Sequence, residues 1–302
     1  MQITAPLMVE VAPSRNPSVA YASTRFAAAG WSPILKKSIP ARSASWALAE
    51  AGFVVAAFDA SFQGDSGGDP RQVEDAGFRV SDFSFVIDYL VTQPFVDADK
   101  IGVLAICGGA GYAVAATKID RRIKALGTVV GSNVGRLMRE GFSDYDPMGM
   151  LEAIAAQRTA EARGQAEQQI NDLLPPSPDA AKEAGVTDID IVEAAEYYKT
   201  PRGQKPGGKT SFNFAPQANL ADWDAYDRVE VFLTQPLCVV IGDKVGAFAS
   251  QRLSMELYGR AASKDKQLVV VEGASHYDLY EQPGPTKKAL EDLVPFYRKH
   301  LG

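Results

Sequence analysis

Histidine and cysteine are the scarcest chemically active residues in this chain. Among 302 residues there are two of each, His276 and His300, Cys107 and Cys238. Two cysteines make no disulfide framework, and the lack of a CxxC pair or a His-rich cluster removes the expectation of a metal centre. Long apolar runs are missing too: no window of roughly 18 apolar residues occurs, and the opening MQITAPLMVEVAPSRNPS has no basic region followed by a sustained apolar stretch. A cytosolic, reducing location with no membrane partner is expected. The net charge is −6 and no run of Lys and Arg stands out, which argues against a nucleic acid or an anionic surface as partner. There is no internal repeat of fixed period and no long low-complexity tract.

What remains is an ordinary globular composition, 46% hydrophobic and 23% charged, with enough apolar material for one large core. Short runs rich in β-branched residues, GFVVAAFDA (52–60), KIGVLAI (100–106), KALGTVVG (124–131), PLCVVIG (236–242) and QLVVVEG (267–273), read as core strands. Between and after them, 80–93, 111–119, 250–262 and 285–301 place apolar residues three and four apart, as covering helices do. The alternation predicts the α/β class, a mostly parallel sheet covered by helices. It stops between about 136 and 220, where two helix-like stretches flank PPSP and lead to the Gly- and Lys-rich PRGQKPGGKT. A helical cap inserted into a single parent domain, 1–302, is the simplest account.

IGVLAICGGAGYAVAA (101–116) runs from a strand through small residues into a helix, the arrangement of a nucleophile elbow. Ala105, Cys107 and Gly109 give AxCxG, with alanine where the first glycine of GxCxG would stand. The turn makes Cys107 the leading nucleophile: a helix N-terminus is expected to lower the thiol pKa, and the Gly108 N–H can face an oxyanion. The bland reading is a small buried hydrophobe. Cys238, inside PLCVVIG with no Gly-rich turn after it, reads as packing. A thiol needs a base. His300, in a lysine-rich helix end, suits the helix dipole, whereas His276 follows the last strand at the sheet edge where Cys107 emerges. The third member should be a carboxylate between nucleophile and histidine in chain order. Asp243, at the end of PLCVVIG, is the first choice, with Asp222, Asp224 and Asp227 as alternatives that read equally as caps or surface charges.

Taken together, AEAGFVVAAFDASFQGDSGGDPRQVED (49–75), PFVDADKIGVLAICGGAGYA (94–113), EYYKTPRG (196–203), TQPLCVVIGDKVGAF (234–248) and GASHYDLYE (273–281) resemble α/β-hydrolases of the dienelactone hydrolase-like branch. Within that branch they are similar to bacterial hydrolases related to fungal polyketide transferases. The resemblance implies one α/β-hydrolase domain with a helical cap, a Cys or Ser nucleophile at Cys107, a histidine at His276 and no cofactor. Two departures stand out. Members usually carry a strand ending in His and then a glycine run that supplies a second oxyanion donor, whereas residues 19–46 contain no His and one Gly. In DKVGAF, Gly246 stands where several relatives carry a polar or acidic residue.

Other polar residues take structural readings first. Asp59 and Asp278 read as turn caps, Gly64, Gly67 and Gly68 as a loop needing positive φ, and Tyr112, Tyr197 and Tyr198 as packing, with Arg202 beside them. The expected function is cleavage of an ester, lactone or thioester through Cys107, His276 and Asp243, with a small-molecule acyl compound as partner. Acyl transfer by the same fold is the first alternative. A non-catalytic binding protein that keeps the pocket is the second.

Overall fold

The computed structural model describes residues 9–12, 22–23, 47–140, 146–204 and 209–302. Most of the divergent 19–46 segment, including the loop from 26 to 30, lies outside the described residues. Strands β1 (Val9–Ala12), β2 (Ala22–Ser23) and β3 (Val55–Phe58) form a small sheet in the order β1-β3-β2, with β1 antiparallel and β2 parallel to β3. Strands β4 (Ile101–Ile106) and β5 (Ile123–Val129) then pair in parallel. After β5 the chain leaves the sheet for helices Val134–Glu140, Pro147–Ala162, Pro178–Glu183 and Ile189–Tyr198. This insert is not purely helical: β6 (Ile170–Asp172) and β7 (Ser211–Asn213) form an antiparallel pair inside it. The chain rejoins the sheet as β8 (Leu237–Gly242) and β9 (Lys266–Val271), giving the parallel order β4-β5-β8-β9.

Period-2 alternation sends each strand's side chains to two different cores. Ile101, Val103 and Ala105 of β4 and Leu237, Val239 and Ile241 of β8 face a cluster with Phe83 and Ile87 of helix Ala76–Leu90 and with Tyr112 of helix Gly109–Ile119. Leu104, Ile106, Cys238 and Val240 face the opposite cluster, filled by Leu293, Phe296 and Tyr297 of helix Pro283–Leu301. Each such fully buried aliphatic or aromatic side chain contributes roughly 1.5–3 kcal/mol. Asp75 caps the first of these helices by accepting from the Phe78 N–H at 3.1 Å, which starts it four residues before the apolar periodicity does. One strand differs from expectation: β9 is a sheet edge, with Val271 buried but Val270 exposed. Among the described residues no helix is long and apolar enough to cross a membrane.

Because β4, β5, β8 and β9 run parallel, the segments that follow them meet at one edge of the sheet. Cys107 follows β4, Ser132 lies just beyond β5, Asp243 follows β8, and His276 follows β9.

Candidate active site

Cys107 sits at the turn between β4 and helix Gly109–Ile119 with φ of +56°, a left-handed conformation that a side-chain-bearing residue rarely adopts. Such strain costs on the order of 1–3 kcal/mol and persists where the surroundings over-determine it. Here they do. The Cys107 N–H donates to the Val129 carbonyl at 3.0 Å, and the Cys107 carbonyl accepts from the N–H groups of Ala110 at 2.9 Å and Ser132 at 3.0 Å.

Burial pushes the Cys107 thiol up to about 11, overriding the Tyr280 hydroxyl and the Gly108 N–H, which both draw it down; the negative charge of Asp190 adds to the rise. The expected lowering by the helix N-terminus is therefore reversed, because desolvation of the sulfur outweighs it. The imidazole of His276 is also buried, and burial takes its pKa down to about 3. Both shifts favour the uncharged forms, so the resting pair is a thiol and a neutral imidazole. Nδ1 of His276 lies 3.1 Å from the Ser250 Oγ, and Nε2 lies 3.4 Å from the Tyr280 hydroxyl. Phe248, Tyr277 and Tyr280 surround the ring at centroid distances of 5.1–5.3 Å. The structure thus brings Cys107 and His276 to a common neighbour, Tyr280, whose hydroxyl meets both.

Asp243 is not part of this group, and its expected role is corrected. It is exposed and accepts the Gly273 N–H at 2.8 Å, while Ser250 occupies Nδ1 of His276. The cause is the close approach of two backbones: a Cβ at Gly242 would fall onto the Ala274 carbonyl. With β8 pressed so tightly against the loop that carries His276, residue 243 turns outward onto that loop's surface. Of the alternatives, Asp224 accepts from Asn133 Nδ2 at 2.6 Å and from the Tyr226 N–H at 2.8 Å, and Asp227 is exposed at the surface.

The remaining residues fall as follows. Gly108 opens the helix after Cys107 with its N–H at the sulfur. Cys238 is buried and accepts from Gln267 Nε2 at 3.1 Å, and burial pushes it up to about 12. His300 lies 3.5 Å from Asp265 near the chain end. Asp59 accepts the Asp65 N–H at 2.8 Å, and Gly64 and Gly68 have positive φ in that loop. Asp278 accepts the Ser275 N–H at 3.0 Å. Tyr112 is buried, donates to Glu74 at 2.7 Å and stacks on Trp223. Tyr197 packs inside, Arg202 pairs with Glu281, and Tyr198 lines the pocket.

That pocket opens above Cys107 and Gly108. Its wall is mostly apolar, and the insert supplies Leu137, Leu173, Leu174 and Tyr198. Ser250, Tyr280 and Asp190 escaped the sequence reading. Tyr280 alone carried a signal, lying close after His276 in the chain within the short segment that follows the last strand.

A parallel sheet with helices around it and residues gathered at one edge is a fold that known proteins share. The model of the alpha/beta hydrolase family matches residues 24–289. The chain belongs to that family. Among its relatives, the uncharacterized protein YcjY of Escherichia coli K12 is 41% identical over 258 residues, covering 84% of this chain and 81% of YcjY. The polyketide transferase claH of Penicillium crustosum is 22% identical over 263 residues, covering 84% of this chain and 81% of claH. The crystal structure of the hypothetical protein PA2218 from Pseudomonas aeruginosa superposes with a TM-score of 0.79 at 24% identity, covering 99% of this chain and 95% of that one. The last match shows the alpha/beta hydrolase fold, a parallel sheet with flanking helices.

Proposed function

We propose that this alpha/beta hydrolase cleaves an ester, lactone or thioester through an acyl-enzyme on Cys107. The Cys107 Sγ attacks the acyl carbon as its proton passes to His276 Nε2, directly or across the Tyr280 hydroxyl. The carbonyl oxygen takes the negative charge against the Gly108 N–H. Collapse breaks the bond to the leaving oxygen or sulfur, which receives the proton from the imidazolium. Water then attacks the thioester, gives its proton to His276, and releases the acid and the Cys107 thiol. Because thiol and imidazole are both neutral at rest, the proton moves with the attack rather than before it.

The observation that carries this reading is the φ of +56° at Cys107, strain held by three backbone hydrogen bonds next to a buried imidazole. The insert acts as a cap whose leucines suit an apolar acyl chain. The same water-poor wall favours transfer of the acyl group to an alcohol or amine as a second reading, and claH is named as a transferase. The test is a panel of chromogenic acyl esters and thioesters, with and without added alcohols, on wild type, Cys107→Ala and Cys238→Ala. Turnover lost only in Cys107→Ala supports the proposal, and ester formation with added alcohol assigns transfer. Ligand binding without turnover in any form would mean a binding protein.

A further inference from the structure

Among the described residues, no carboxylate lies within hydrogen-bond reach of His276, yet a buried imidazolium needs a balancing charge. One buried carboxylate near the site lacks a complete set of partners. Asp190, on insert helix Ile189–Tyr198, is 1% exposed. Its Oδ2 accepts the Phe248 N–H at 2.9 Å, and its Oδ1 has no hydrogen-bond partner among the described residues. Leaving such an acceptor unmade is costly and calls for a reason.

Its location supplies one. A Cβ built on Gly246 would land on the Asp190 carboxylate. The insert has thus placed a carboxylate where a side chain of the loop after β8 would otherwise be, the loop from which Phe248 packs on the His276 ring and Ser250 meets Nδ1. The neighbouring Asp188 accepts the Ala247 N–H at 3.0 Å, so two aspartates of the insert hold two consecutive residues of this loop, Ala247 and Phe248.

We infer that Asp190 is a positioning residue of the catalytic apparatus: it fixes the 246–248 loop against His276 and supplies the negative charge that balances the imidazolium. This rests on the acyl-enzyme reading above. Burial, with Asp188 and Glu193 on the same helix, lifts the Asp190 pKa to about 6. Facing it from other elements, Cys107 and Tyr277 are both pushed up, by burial first with its charge adding to the rise, and His276 stays neutral down to about pH 3. Activity should therefore rise with pH through about 6 as Asp190 ionises.

The experiment measures kcat and KM from pH 5 to 9 with a chromogenic acyl ester, and Tm at pH 5 and 8. Its variants are Asp190→Asn, which keeps the size and an acceptor for Phe248, and the pair Asp190→Ala with Gly246→Asp, which moves the carboxylate onto the loop. The inference expects Asp190→Asn to lose kcat by about 100-fold or more at pH 8 with little change in KM. It also expects this variant to lose the acid limb near pH 6 and to melt at pH 8 no lower than wild type, since the charge it removes burdens the fold there. Adding Gly246→Asp to Asp190→Ala should restore at least about tenfold of the lost kcat. Asp190→Asn within about threefold of wild type with its acid limb intact would overturn the inference, as would no recovery in the double variant. If Cys107→Ala turns over as wild type does, it is the acyl-enzyme reading that falls.

Discussion

The phenolic oxygen of Tyr280 lies 3.4 Å from Nε2 of His276 and also meets the Cys107 thiol, so one hydroxyl joins the proposed nucleophile and its base. A third group between the two is a route for the proton and a hold on the sulfur's orientation. Because the Tyr280 hydroxyl draws the thiol pKa down, Tyr280→Phe should leave the thiol still harder to ionise. The expected result is a fall in kcat/KM of about 10-fold to 100-fold with folding unchanged, checked by steady-state kinetics beside a thermal melt. A Tyr280→Phe enzyme as fast as wild type would show that the proton passes straight from sulfur to imidazole.

His276 also makes stability depend on pH. Its folded pKa of about 3 lies below the unfolded value of roughly 6.5, so between those limits the unfolded chain binds the extra proton and stability falls as the solution is acidified. Asp190 acts in the opposite sense, because its folded pKa is raised to about 6 and its charge burdens the fold at higher pH. Subtracting a His276→Gln variant isolates the first effect. Relative to wild type, that variant should gain about 2 kcal/mol in unfolding free energy on going from pH 7.5 to 5, measured by urea titration at each pH.

Thiol labelling should be slow. With Cys107 at about 11 and Cys238 at about 12, the thiolate fraction near pH 8 is small for both. Iodoacetamide should modify Cys107 more than about 100-fold more slowly than a free thiol, accelerating about tenfold per pH unit up to pH 10. Mass mapping of the alkylated peptides reads this directly. Rapid labelling of Cys107 at pH 7 would mean that the sulfur is hydrated and more acidic than its burial implies.

The architecture was written in local patterns: the β-branched runs, the apolar spacing of the helices and the small residues around Cys107 each depend on near neighbours in the chain. That Cys107, Gly108 and His276 come to one edge of the sheet was legible for the same reason, since parallel strands deliver their following residues there. Asp243 was misplaced because the pattern shows that a residue follows a strand but not that Gly242 is pressed onto the Ala274 carbonyl. The thiol pKa was misjudged because desolvation belongs to the packed molecule, where Cys107 is buried in one cluster with Tyr277 and Tyr280. Asp190 was invisible in sequence: 56 residues separate it from Gly246, and only the docking of the insert brings them together. The exposed edge of β9 was equally out of reach, because strand order sets it.

The central claim, that Cys107 carries the acyl group, is tested most directly by acid-quenching the enzyme during turnover of an activated acyl ester and weighing the intact protein and its peptides. The account predicts one acyl increment on the peptide containing Cys107 in wild type, its absence in Cys107→Ala, and its persistence in Cys238→Ala. Undiminished turnover by Cys107→Ala, or an acyl increment on another residue of the wild type, would contradict it.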